Sequence, residues 1–161
     1  MSSTTVAPIA EEKPQLQSGY MTVLDGMPQQ YQDSTKLWSF YDALRDGRLT
    51  TTRCQGCSAL HWPPRTVCPE CMSDDLTWED IPMPARIYSY TVQVAGVPPE
   101  FPPPLVYALI DFENGLRLFT AIVDCEPSEV SNGAEVDVVV RDVAPDQYGR
   151  ARVMPYFRLR R

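Results

Sequence analysis

Apolar residues along this chain follow two different rhythms. Leu37, Phe40, Tyr41 and Leu44 recur at helical spacing, whereas from Arg86 onward apolar and polar residues alternate as they do in strands. Asp33 or Ser34 is placed to cap the helix, and Gly47 to end it, because glycine takes a left-handed C-terminal conformation without steric cost. A helix is therefore expected within 33–47, with Trp38 beside its apolar stripe. So short a helix with this much aromatic area either packs over the rest of the chain or docks a partner.

The strand pattern continues in pieces. Arg48 to Arg53 and Leu76 to Trp78 read as short strands. Tyr88, Tyr90, Val92 and Val94 alternate with Ser89, Thr91 and Gln93, predicting one half-buried face. Five of the seven positions from Pro98 to Pro104 are prolines, which cannot donate to a sheet ladder, so that segment is a loop. Leu105 to Phe112 and Leu116 to Val123 form a hairpin through Glu113-Asn114-Gly115, where Asn-Gly supplies positive φ values. Asn132-Gly133 introduces Glu135 to Arg141, and Gly149 introduces Arg150 to Leu159. Five strands with no crossover helix among them predict a small closed barrel and a mainly β fold.

Between the helix and the barrel lie Cys54, Cys57, Cys68 and Cys71, two Cys-x-x-Cys pairs separated by ten residues. That spacing fits a four-cysteine zinc ribbon, in which four thiolates close a tetrahedral ion and leave no position for water or substrate. Iron suits the same sulfur set, and a disulfide scaffold is the other alternative. The organisation is then an arm over 1–32, the helix at 33–47, the ribbon at 48–80 and the barrel domain at 81–161. Tyr20, Met21, Val23, Leu24, Met27 and Tyr31 make the arm more apolar than a linker requires. A large partner is expected to order part of it together with the helix around Trp38.

The 161 residues are enough for one ordinary domain, or a small domain with a metal-stapled knuckle. No run approaches the roughly 20 apolar residues of a membrane helix, and the first residues lack the basic start and apolar stretch of a secretion signal. With the paired thiols, this points to a cytoplasmic protein away from the membrane. The net charge is −7. Residues 141–161 nevertheless carry six arginines against Asp142 and Asp146, so the rest of the chain is more acidic still. Such a surface repels phosphate backbones, although a small anion or an acidic partner could meet the basic tail.

No catalytic set assembles from the remaining residues. His61, the single histidine, lies inside the ribbon, where a surface or core role, a replacement ligand and a partner contact are the readings. Cys125 lacks a base or cationic setting and reads as a small hydrophobe near a barrel end. Asp74, Asp75, Glu79 and Asp80 read as a solvated face or a docking patch. The glycines stand singly at turns and form no phosphate-cradling loop.

The helix end Leu44-Arg45-Asp46-Gly47-Arg48-Leu49, the pairs Arg53-Cys54-x-x-Cys57 and Cys68-Pro69-x-Cys71, Pro63-Pro64-Arg65, Ile87-Tyr88-Ser89-Tyr90-Thr91 and Met154-Pro155-Tyr156-Phe157 follow in one order. That succession, over roughly residues 34–159, resembles OB-fold proteins with an N-terminal rubredoxin-like zinc ribbon, catalogued as domain of unknown function 35. The resemblance implies a non-catalytic subunit of a hetero-oligomer whose large subunit is thiolase-like. Such a subunit completes or shapes its partner's acyl-CoA site; one branch of the family serves benzoylsuccinyl-CoA thiolase. Coenzyme A carries phosphates that guanidinium groups bind well. Arg150, Arg152 and Arg158 share a strand face if Pro155 leaves the register intact, and Arg65 lies beside the ribbon. These four arginines are candidates to meet a coenzyme A thioester, with an acidic partner surface or plain solvated charge as alternatives. A single-stranded nucleic-acid-binding ribbon and barrel, with Tyr88, Tyr90 or Phe119 stacking bases, is the competing function.

Overall fold

The computed structural model describes residues 25–98 and 101–161. Tyr20, Met21, Val23 and Leu24, which figure in the expected partner contact, lie outside the described residues. Helix α1 spans Trp38–Arg45 and is shorter than its periodicity predicts. Asp33 and Ser34 do not cap it: a turn closed by the N–H groups of Ser34 and Thr35 on the Tyr31 carbonyl separates them from the first helical residue. Leu37 holds the N-cap position without a side-chain hydrogen bond. Gly47 does end the helix, with φ of 76°. The Gly47 and Arg48 N–H groups turn back to the Leu44 and Ala43 carbonyls at 2.9 and 2.8 Å, which satisfies two carbonyls that the last turn leaves unpaired.

The buried side of α1 corrects the expectation that its aromatic residues await a partner. Phe40, Tyr41 and Leu44 lie in the same apolar cluster as the barrel residues Ile87, Ile110 and Phe157, while Trp38 is half-buried. Phe40 also meets Trp62 of the ribbon edge to face, with ring centroids 5.8 Å apart. One helix thus joins both parts of the molecule.

The ribbon is a small antiparallel sheet in which β1 (Thr50–Cys54) lies between β2 (Leu60–His61) and β3 (Leu76–Asp80). Arg53 on β1 grips the Glu79 carboxylate of β3 with two nitrogens at 2.5 and 2.9 Å. The barrel comprises β4 (Ala85–Gln93), β5 (Leu105–Asp111), β6 (Arg117–Ile122), β7 (Glu135–Val143) and β8 (Arg152–Leu159). It closes in the order β4-β5-β6-β8-β7, with β7 returning to β4, so no sheet edge runs free around the core.

Two details of the strands differ from the sequence pattern. A bulge lies between Ile87 and Ser89 and interrupts the ladder locally. Ala85 and Ile87 enter the core, whereas Tyr88 and Tyr90 face solvent, 55% and 39% exposed. In the β5–β6 hairpin only Gly115 has positive φ, at 85°. The Gly115 N–H closes a four-residue turn on the Phe112 carbonyl, so Asn114 has no left-handed part to play. Pro155 leaves the register intact: β7 and β8 pair without a break from Val136 opposite Leu159 to Val143 opposite Arg152.

The described end of the arm, residues 25–33, is strapped to this chain's own barrel. Gln30 is 1% exposed, and its amide donates to the Val153 carbonyl at 2.6 Å and accepts the Val153 N–H at 2.9 Å. One side chain therefore stands in for a neighbouring strand where β6 reaches β8 only at Phe157. Tyr31 lies between the guanidinium groups of Arg45 and Arg150, 4.9 and 4.2 Å from its ring centre. Asp25 and Asp33 pair with Arg152 and Arg150, each at 2.8 Å. Gln30→Ala leaves a buried donor and acceptor of Val153 unpaired and is expected to lower stability by about 2 kcal/mol. Urea unfolding reads this as a lower midpoint at unchanged slope.

Candidate functional site

The four cysteines sit on two copies of one loop. After Cys57 and after Cys71 the chain turns through Ser58 and Met72, whose φ values are 62° and 63°. The Ser58 N–H returns to the Cys54 carbonyl and the Met72 N–H to the Cys68 carbonyl, both at 2.9 Å. Each copy aims backbone N–H groups at sulfur: those of Gly56 and Cys57 at Cys54, Ala59 at Cys57 and Ser73 at Cys71. Cys54 and Cys68 are fully buried, and Cys57 and Cys71 face outward.

All four sulfurs lie within 4.8 Å of one another, with Cys54 and Cys71 3.5 Å apart and Cys57 and Cys68 3.6 Å apart. Disulfide sulfurs sit about 2.05 Å apart, so these are not bridges. A tetrahedral zinc ion with bonds of about 2.3 Å holds its sulfurs roughly 3.8 Å from each other, close to the observed spacing. The donor set fits structural zinc.

Electrostatics fit as well. Burial pushes the Cys54 thiol up, but the Cys57 N–H, Cys71 and the Gly56 N–H more than offset it and bring it to about 7. At Cys57 the Ala59 N–H favours the thiolate, yet the hold of the neighbouring sulfurs, Cys68 first, and burial together push it up to about 12. Crowded thiols thus give up a first proton near neutrality and resist losing the others. A divalent cation removes that resistance by compensating the accumulating negative charge.

His61 proves to be neither a ligand nor a bystander. Its Nε2 lies 3.3 Å from the Cys68 sulfur, so the ring belongs to the layer around the ligands. The position of His61 seven residues before Cys68 carried that possibility, but sequence alone could not aim the ring.

The four candidate arginines fall in three places. Arg152 is withdrawn as a coenzyme contact: it is 2% exposed, and its guanidinium donates to Asp25 and to the carbonyls of Met27, Ala144 and Pro145. Arg150 is held by Asp33 and Asp146 between the rings of Tyr31 and Tyr148. Arg65 on the ribbon and Arg158 on β8 are exposed. Cys125 is half-buried and its thiol is raised by burial first and by nearby Glu129, Asp124 and Glu126, the opposite of what a nucleophile needs. Sequence reading missed the strap altogether, since nothing in the chain links Asp25 or Gln30 to partners more than 120 residues away.

A four-thiolate ribbon set on a five-stranded closed barrel defines a zinc-ribbon and OB-fold protein. Models of known families agree: the ChsH2 rubredoxin-like zinc ribbon domain matches residues 42–77, and the ChsH2 C-terminal OB-fold domain matches residues 78–141. A DUF35 domain-containing scaffold protein of Methanocaldococcus jannaschii is 35% identical over 101 residues, which are 61% of this chain and 71% of that one. Its counterpart in Methanothermobacter thermautotrophicus is 36% identical over 98 residues, covering 59% and 73%. The chain belongs to the DUF35 family. It also resembles a probable enoyl-CoA hydratase alpha subunit of Thermomonospora curvata, at 33% identity over 97 residues, 60% of this chain but only 30% of that one. Among solved structures, an Ltp2-ChsH2(DUF35) aldolase superimposes with a TM-score of 0.61 and 30% identity, covering 76% of this chain and 93% of that one. No helix among the described residues is long and apolar enough to cross a membrane.

Protein purified without added metal is expected to carry one zinc, and Cys68→Ser to lose it together with ribbon structure while the barrel stays folded; metal analysis and circular dichroism report the two effects. Protons compete with the metal for thiolates, so with Cys54 brought to about 7 zinc affinity should fall as the pH drops below neutrality and rise above it. His61→Ala should retain the zinc but weaken its binding by about tenfold, as loss of a group supporting a ligand does, which a chelator competition measures.

Proposed function

We propose that this chain is a non-catalytic accessory subunit of an enzyme complex acting on acyl-CoA thioesters, with a thiolase-superfamily large subunit carrying the chemistry. The observation that carries this reading is the state of the chain's own reactive groups. Zinc takes the four clustered thiols, His61 serves one of those sulfurs, and Cys125 is shifted away from reactivity. The relatives support it, since their descriptions speak of a scaffold protein, a hydratase subunit and an aldolase containing a DUF35 chain. In this reading the protein works in the cytoplasm as part of a hetero-oligomer and shapes the partner's acyl-CoA site. Benzoylsuccinyl-CoA thiolase is one enzyme of that type. Arg65 and Arg158, both exposed, are the arginines to reach coenzyme A phosphates, and Arg150 could join them only by giving up Asp33 or Asp146.

A second reading rests on a specific surface. Phe119 is 61% exposed and stacks on Tyr107 at 5.3 Å, while Arg117 covers Tyr88 at 3.7 Å. Aromatic rings on this outer barrel face suit single-stranded nucleic acid. The net charge of −7 opposes it.

Affinity purification from the native cell should recover a thiolase-like large subunit, and the isolated chain should turn over no acyl-CoA. In the reconstituted complex, Arg65→Ala or Arg158→Ala should raise the KM for the acyl-CoA by about tenfold, the worth of one charge-assisted phosphate contact, with kcat kept. Recovery of nucleic acid instead, with binding that collapses between low and moderate salt, would favour the second reading.

A further inference from the structure

The outer face of β4, β5 and β6 carries large apolar side chains in the open. On β5 the buried residues Ala108 and Ile110 alternate with Tyr107, Leu109 and Asp111, which face outward. The register sets Leu109 opposite Phe119 of β6, and Asp111 between Arg86 of β4 and Arg117 of β6. Phe119 stacks on Tyr107 with ring planes 14° apart and centroids 5.3 Å apart, while Tyr88 lies under the Arg117 guanidinium at 3.7 Å. Phe119 and Tyr88 are 61% and 55% exposed. Large rings that are held by neighbours yet open to solvent form a preorganised contact surface, because binding costs them little side-chain freedom.

The charges around this patch decide what can cover it. Arg117 gives two nitrogens to the Asp111 carboxylate at 2.5 and 2.9 Å, and Arg86 is paired with Glu135 at 2.6 Å. Both cations are matched by this chain's own acids, so the patch presents rings and aliphatic carbon in a neutral frame. Single-stranded nucleic acid stacks its bases where free lysines or arginines also meet its phosphates, and the arginine against these rings already has its carboxylate. What complements a neutral apolar patch is another one, as at the centre of a protein interface, where aromatic residues and arginine are enriched and other charged residues are scarce. Charge complementarity therefore favours a protein surface.

We infer, on the accessory-subunit reading above, that the outer face of β4, β5 and β6 is the seat for an uncharged, apolar patch of the large subunit, with Phe119 and Tyr88 as its anchors. Arg117 keeps its own partner in the complex. Gripped by Asp111 and stacked on Tyr88, it holds that ring in place and does not reach across to the other chain.

The large subunit recovered with the full, zinc-loaded chain is purified, and its affinity for that chain and for variants is measured by titration calorimetry. Phe119→Ser and Tyr88→Ser each remove an anchor from the outer face and should raise Kd by about thirtyfold, with zinc content and circular dichroism unchanged. Tyr148→Ser removes an exposed ring from the β7–β8 connection instead and should leave Kd within about twofold. Because the patch is neutral, Kd should also change by less than about twofold between about 50 and 300 mM salt. Kd values for Phe119→Ser and Tyr88→Ser within about twofold of the unaltered chain would overturn the inference while leaving the accessory-subunit reading intact. Failure to recover any large subunit would defeat that reading, and this use of the face with it. A chain that sediments as a dimer, and as a monomer once Phe119→Ser is made, would give the face to a second copy and refute docking of the large subunit there. Binding of a fluorescent oligothymidylate that both variants lose, while they still bind the large subunit, would give the face to single-stranded nucleic acid and refute it equally.

Discussion

Four thiolates gathered within one coordination sphere are the constraint on which the ribbon depends. Its three strands have five, two and five residues, too few to enclose a core between them. β3 illustrates this, with none of its residues fully buried. A metal replaces the missing core by converting the mutual repulsion of the sulfurs into attraction to one ion. Because Cys54 ends β1 and Cys68 touches His61 of β2, the metal also fixes two of the three strands. Trp62 follows directly and meets Phe40, so the ribbon's orientation is passed through α1 into the barrel core.

The second organising element is β8. Its middle supplies Phe157, fully buried in the core and the single point where β6 and β8 pair. Its beginning supplies Arg152 and Val153 to the strap. Burying a guanidinium without partners would be prohibitive, and here a carboxylate and three carbonyls share its donors. The arrangement explains why the basic tail does not form an open anion-binding patch. Arg141, Arg150, Arg152, Arg160 and Arg161 all meet acidic groups of this chain. Charge that looks segregated along the sequence is largely matched in three dimensions, and the exposed pairs among these contribute little stability individually.

Much of this was legible in the sequence wherever the determining signal was local. Cysteine spacing, strand alternation and the φ > 0 requirement at Gly47 each act within a few residues. They located the metal ligands, the five barrel strands and the end of α1. Errors arose where a distant contact overrides a local one. Tyr88 and Tyr90 alternate like core residues, but Ala85 and Ile87, on the opposite face of the strand, enter the core and leave the two tyrosines exposed. Asp33 has the chemistry of a helix cap, yet Arg150, 117 residues away, takes its carboxylate. Arg152 reads as one of several surface arginines until the strap encloses it.

These distant contacts also change what the apolar surplus of the chain means. Phe40 and Tyr41 stabilise the fold from within, so they offer no free surface to another protein. Other apolar side chains are left outside: Tyr88 and Phe119 on the outer barrel face are more than half exposed, and so are Met72 on the ribbon, Val94 and Tyr148. Rings stacked by cross-strand neighbours lose little freedom on binding, because Tyr107 and Arg117 already restrict them. The exposed aromatic rings belong to β4 and β6 of the barrel and the cysteines to the ribbon, so the two features rest on different parts of the fold. The four sulfurs hold the ribbon together through zinc, whereas the barrel has its own buried core around Ile87, Ile110 and Phe157.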